Sequence, residues 1–161
     1  MKQYLLGLLL IASFSGCLKS SEGSYTCTYD PCGRKAPASE ITAVQNYLSA
    51  KSITNAVQHC SGLFYVIENA GTGQNPSVCS NIGVTYEGRL TDGTVFDSTT
   101  NEVAFNLGQV IAGWQNALPL IKAGGRIHLY IPPSLAYGST GSGSIPPNAI
   151  LVFKVDLLHV Q

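Results

Sequence analysis

Four short clusters in the last two-thirds of the chain bring together side chains that could form a reaction cleft. Val95-Phe96-Asp97-Ser98, Val110-Ile111-Ala112-Gly113-Trp114, Ala136-Tyr137-Gly138 and Ile145-Pro146-Pro147-Asn148-Ala149 follow one another in that order. They offer aromatic walls, an aromatic floor, one carboxylate and one phenol, and no conventional pairing of nucleophile with base. Such a set suits a reaction in which no covalent bond is made or broken. His59, His128 and His159 are scattered and no G-x-S-x-G occurs, which argues against a hydrolase. Gly138, Gly141 and Gly143 superficially resemble a phosphate-cradling loop, but no Lys-Ser/Thr pair or helix follows them. That stretch reads instead as a flap beside Tyr137. Any one of these aromatics alone would read as core, and Asp97 alone as a turn or cap residue. Their joint order points to a site.

Alternating strands must position these residues. Leu63, Tyr65 and Ile67 alternate with Phe64, Val66 and Glu68, ending at Asn69-Ala70-Gly71. Residues 82–90 and 94–98 form two more strands joined through Thr91-Asp92-Gly93, a strong hairpin signal. Residues 103–107 read as a short edge strand, and 126–131 and 149–160 as two further alternating strands. The helical pattern of this half covers 113–122, with Trp114, Leu118 and Ile121 on one face, and Pro119 keeps it short or bent. An earlier helix is expected after Ser39 as N-cap, with Glu40 in its first turn and Ile41, Val44 and Leu48 on one face. That stripe is expected to pack on the domain rather than to form a dimer surface.

The ends and composition bound the setting. Lys2, the apolar run over residues 5–12 and the small residues before Cys17 have the form of a secretory signal, too short for a membrane span. Gly16-Cys17 looks like a bacterial lipobox, although Phe14 stands where Leu is usual. Lipidation of Cys17 would anchor the chain to a membrane. The expected organisation is a signal peptide at 1–16, a Ser/Thr/Gly/Pro-rich tether at 17–37, a helical extension at 38–60 and one domain at 61–161. Formal net charge is zero and 11% of residues are charged, so no basic surface for nucleic acid is expected. Cys27, Cys32, Cys60 and Cys79 would be oxidised in an exported chain. Three pairings are open; Cys27–Cys32 with Cys60–Cys79 is preferred because each closes a short loop. A metal site combining these thiols with His59 is disfavoured, since the gaps lack C-x2-C knuckles.

The clusters closely resemble the FKBP-type peptidyl-prolyl cis-trans isomerases over roughly residues 62–161. The resemblance implies an α+β fold, a curved antiparallel half-barrel of five to six strands wrapped around one short helix. It also implies isomerisation of X–Pro bonds without metal or cofactor, acting on unfolded or proline-containing polypeptides; with the signal before Cys17, these are expected to be proteins of the cell envelope. A monomer is expected. By the same resemblance, Tyr86 corresponds to a wall tyrosine, and Phe96 and Asp97 to a Phe-Asp pair, with Phe against the proline ring and Asp as the polar edge. Val110 and Ile111 correspond to the rim, where the Ile111 N–H would bond a substrate carbonyl. Trp114 corresponds to the floor, Tyr137 to the hydroxyl reaching substrate, and Phe153 to the back wall, with Phe105 and Ile145 at outer wall positions. Three departures stand out. Residues 98–102 carry no Arg, where relatives often place a basic partner for the Asp, and Val103 stands where a wall Phe is common. The flap between Tyr137 and Ile145 is too short for an inserted chaperone domain. The alternative function is a non-catalytic module of the same fold that docks proline-containing segments.

Overall fold

The computed structural model of the protein describes residues 27–161; the expected signal peptide, Cys17 and the start of the tether lie outside them. The elements run α1 (Ala38–Ala50), β1 (Val57–Gln58), β2 (Phe64–Asn69), β3 (Asn81–Leu90), β4 (Val95–Asn106), α2 (Ala112–Ala117), β5 (Gly125–Ile131) and β6 (Leu151–Val160). The strands form one antiparallel sheet in the order β1-β2-β5-β6-β3-β4. This is the expected α+β architecture of an open sheet around a short helix.

Period-two alternation sends neighbouring residues to opposite faces of the sheet, and both faces are used. Ile127, Leu129 and Ile131 of β5 and Phe153, Val155 and Leu157 of β6 join Trp114, Ala117 and Leu118 in the main core. Gly113 permits this approach: a Cβ there would lie 2.6 Å from the Ile131 side chain. The helix proper ends at Ala117 and tightens into a 3₁₀ turn (Leu118–Leu120), in keeping with Pro119.

The opposite face holds a second, smaller core. Val44 and Leu48 of α1 pack with Phe64 of β2 and Tyr130 of β5, so the apolar stripe of α1 is covered by the sheet, as expected. The start of this helix differs from the sequence reading. Pro37 occupies the N-cap position without a side-chain cap bond, and Ser39 falls inside the first turn. The fixed φ of proline suits a helix entrance.

Two further expectations are corrected. The strands expected at 94–98 and 103–107 are one strand, β4, whose register against β3 shifts between Val84 and Tyr86. The intervening polar residues are accommodated because β4 is an edge strand and bulges there. The disulfides are Cys27–Cys79 and Cys32–Cys60, not the sequence-local pairs. Closing short loops was the wrong criterion: residues 27–36 lie along the domain, with the Ala36 N–H bonded to the Ser61 carbonyl at 2.8 Å, and each cysteine there meets one from a distant turn.

Candidate active site

The sheet and α2 converge on a cleft of about 350 Å³. β3 contributes Tyr86, β4 contributes Phe96, Asp97 and Phe105, and β6 contributes Phe153. A 3₁₀ turn (Leu107–Gln109) and the entrance of α2 bring Gln109, Val110, Ile111 and Trp114. Tyr137 follows the 3₁₀ turn Pro133–Leu135.

Trp114 is 4% exposed and forms the floor. It meets Tyr86, Phe105 and Phe153 edge to face at centroid distances of 5.4, 6.0 and 5.3 Å, an arrangement that aromatic quadrupoles favour. Phe96 and Phe153 meet edge to face at 5.4 Å. Gly88 lies between their strands, opposite Asp97 on β4 and Phe153 on β6. A Cβ on Gly88 would lie 2.5 Å from the Phe96 ring and 2.8 Å from that of Phe153. The contact between these two wall rings therefore depends on the missing side chain.

Polar groups sit at the edges of this apolar surface. The Tyr86 hydroxyl donates to Asp97 Oδ2 at 2.6 Å. Burial first, then the hydrogen bond to Asp97, the charge of Asp97 and the neighbouring Tyr137 push the Tyr86 phenol up to about 12. Tyr137 is 40% exposed at the mouth, and its hydroxyl makes no hydrogen bond among the described residues. Gln115 Nε2 donates to the carbonyls of Gly108 at 3.1 Å and Val110 at 2.7 Å, fastening the rim to α2. Among the described residues nothing accepts the N–H of Ile111, the extended residue before α2. Beyond Tyr137 the flap is tied by the Gly141 N–H to the Tyr137 carbonyl, the Asn148 N–H to the Gly138 carbonyl and a bridge between Ser142 and Ile145.

Of the residues singled out in the sequence, Tyr86, Phe96, Asp97, Phe105, Val110, Ile111, Trp114, Tyr137 and Phe153 all line this cleft. Ile145 does not: it is 8% exposed and packs into the main core. Gln109 lines the cleft and was missed, since a lone polar residue beside Gly108 carries no signal of its own. The three histidines lie elsewhere, His59 with Ser61, His128 with Glu68 and His159 with Glu102. Chemically, the cleft can hold an apolar group against an aromatic floor while a carboxylate, a phenol and one free amide N–H address polar atoms at its edge.

The family model for FKBP-type peptidyl-prolyl cis-trans isomerases matches residues 73–158. The chain belongs to this family. It is 42% identical over 121 residues to the FKBP-type peptidyl-prolyl cis-trans isomerase FkpA of Aeromonas hydrophila, covering 73% of this chain and 45% of that protein. It is 44% identical over 120 residues to the outer membrane protein MIP of Legionella longbeachae, covering 71% of this chain and 52% of that one. The chain thus spans about half the length of these curated relatives. The crystal structure of a peptidyl-prolyl cis-trans isomerase from Pseudomonas syringae pv. tomato matches with a TM-score of 0.68 at 33% identity, covering 80% of this chain and 99% of that one.

Proposed function

We propose that this protein is a peptidyl-prolyl cis-trans isomerase acting on unfolded or proline-containing polypeptides. The observation that carries the reading is the closed set of rings from Tyr86, Phe105, Trp114 and Phe153, edged by Asp97 and Tyr137. The barrier to X–Pro rotation, about 18–20 kcal/mol, comes from amide resonance. That resonance gives the planar amide a charge-separated character that the twisted transition state lacks. Moving the bond from water onto an aromatic floor disfavours the planar form relative to the twisted one, which is differential stabilisation of the transition state. In this reading the proline ring rests on Trp114 between Phe96 and Phe153, with Tyr86 and Phe105 completing the wall and Val110 forming the rim. The Ile111 N–H takes a substrate carbonyl, and Asp97 and Tyr137 orient the peptide. Ile145 supports the flap from behind. No residue needs to be a nucleophile, and no metal or cofactor is required.

The test is an isomerisation assay of the chain with a panel of X–Pro peptides. Acceleration over the uncatalysed rate is the expected result. A folded protein that binds proline-containing peptides yet accelerates none of them would establish the docking module instead.

The same proposal includes the setting: an exported chain with a signal peptide at 1–16, a lipidated Cys17, a tether from 17 whose last residues up to 37 lie along the domain, an extension at 38–60 made of α1 and the short strand β1, and an isomerase domain at 61–161. The sequence before Cys17, the two disulfides and the outer membrane relative support an envelope location. Coverage of the α1 stripe by the sheet supports a monomer. No described helix is long and apolar enough to cross a membrane. Fatty-acid labelling that persists in Cys17→Ser would refute the anchor.

A further inference from the structure

We propose that Asp97 makes the cleft selective for polypeptides that carry a lysine or arginine beside the proline. This specificity rests on the isomerase reading and goes beyond it by naming the substrate class.

Among the described residues Asp97 is the only charged one lining the cleft. The Tyr86 hydroxyl engages its Oδ2, whereas no described residue donates to its Oδ1. Among the described residues Asp97 is in no ion pair. The cations that are paired serve other carboxylates: Arg89 serves Glu87, and Arg126 serves Glu68 and Asp156. Among the described residues nothing around the cleft takes their place: Lys154 follows Phe153 on β6, but the alternation of that strand turns it to the opposite, exposed face. Residues 98–101 are Ser-Thr-Thr-Asn, residues 103–121 carry no charge, and the flap from 136 to 149 carries none either.

An exposed carboxylate without an intramolecular cation does not by itself define a site. Here it stands at the edge of a cleft whose aromatic walls exclude water from one side, where an ionic contact is less screened than in bulk solvent. The exposed phenol ring of Tyr137 lines the same mouth and presents a further attractive surface to a cation. A peptide seated on Trp114 places the residues flanking its proline near these edges. An anionic side chain there meets Asp97 with like charge, and a cationic one supplies the missing partner. Because the whole chain has zero formal net charge, the discrimination is local rather than long-range steering.

The test uses the full chain and peptides identical except at the residue before or after proline, which is Lys, Gln or Glu. Rates are read by a protease-free NMR exchange measurement. At low ionic strength kcat/KM should fall in the order Lys, Gln, Glu in at least one of the two positions, with Lys over Gln by about 2- to 5-fold. Raising the salt to about 0.5 M should compress the series. Asp97→Asn should bring the Lys-to-Glu ratio close to one, whatever it does to the overall rate. Equal rates for Lys and Gln peptides at both positions would overturn the proposal while leaving the isomerase reading intact, as would a preference that survives both salt and Asp97→Asn. If no peptide is turned over, the isomerase reading fails. Calorimetric binding of the same peptides then decides the charge preference by the same order and the same loss in Asp97→Asn.

Discussion

The carboxylate of Glu40, in the first turn of α1, accepts the backbone N–H of Ser134 at 2.9 Å, across 94 positions of sequence. Ser134 lies in the 3₁₀ turn Pro133–Leu135, which ends two residues before Tyr137. The helix on one face of the sheet thus holds the segment that delivers a phenol to the cleft. Removing the acceptor in Glu40→Ala should cost about 1–2 kcal/mol of stability, since a charge-assisted bond to a backbone donor is lost. It should also lower kcat/KM about 2- to 5-fold through Tyr137. Chemical denaturation together with kinetics checks both. Wild-type values for both quantities would mean the contact has no consequence.

Trp114 separates ring from polar atom. Its buried indole N–H has no partner among the described residues, so the floor depends on the ring itself. Trp114→Phe should therefore be mild, within about 1.5 kcal/mol, whereas Trp114→Ala opens a cavity and should cost about 3–5 kcal/mol. Thermal melts of the two variants test this, and equal losses would locate the importance of the residue elsewhere.

The polar handles should be helpful rather than indispensable. Asp97→Asn and Tyr137→Phe keep shape while altering the edge, and each should reduce kcat/KM by roughly 3- to 100-fold, or about 0.7–2.7 kcal/mol. Loss by a factor of about a million, as when a nucleophile is removed, would contradict catalysis by environment.

His59 should impose a pH dependence on stability. Burial holds its imidazole below the ordinary value of 6.5. Its Nδ1 accepts the Ser61 N–H at 3.2 Å, which requires that nitrogen to be unprotonated. The folded protein therefore binds this proton less readily than the unfolded chain. Stability should fall as pH drops below about 6.5, and the contribution should level off once the lower folded-state value is passed. His59→Asn should flatten that slope in melts taken between about pH 8 and 5. An unchanged slope would assign it to another group.

The disulfides can be mapped directly by peptide mass analysis under non-reducing conditions. Cys27–Cys79 and Cys32–Cys60 close separations of 52 and 28 residues, and each should stabilise by about 2–4 kcal/mol. Fragments joining Cys27 to Cys32 would overturn the pairing.

Much of this molecule is legible in its sequence because alternation reports burial one strand at a time. Leu129 beside Tyr130 on β5 and Phe153 beside Lys154 on β6 could be assigned to opposite faces without coordinates. The cleft was legible for a different reason: its residues fall into clusters whose order matches a known family. What escaped reading depends on distant partners. The polar run Ser98-Thr99-Thr100-Asn101 has no alternation because an edge strand faces solvent and can bulge, so β4 read as two pieces. The disulfides escaped because only the folded domain brings Cys27 near Cys79. Tyr29, whose hydroxyl donates to the buried Asn116 at 2.6 Å, gives no hint in sequence of a partner on α2, and Glu40 gives none of Ser134. Ile145, read as an outer wall position, is buried in the main core, while its backbone bridges Ser142 in the flap.

The cover that α1 provides over Phe64 and Tyr130 separates two kinds of boundary. The match to the family model begins at residue 73, yet the unit that buries its own surface begins tens of residues earlier. A chain trimmed to the residues the family model matches would lose β1 and β2 as well as α1. It would leave β5 as a naked sheet edge with Tyr130 facing water, the kind of edge on which a second molecule assembles. In this protein the chain before residue 73 is what keeps the sheet from becoming adhesive.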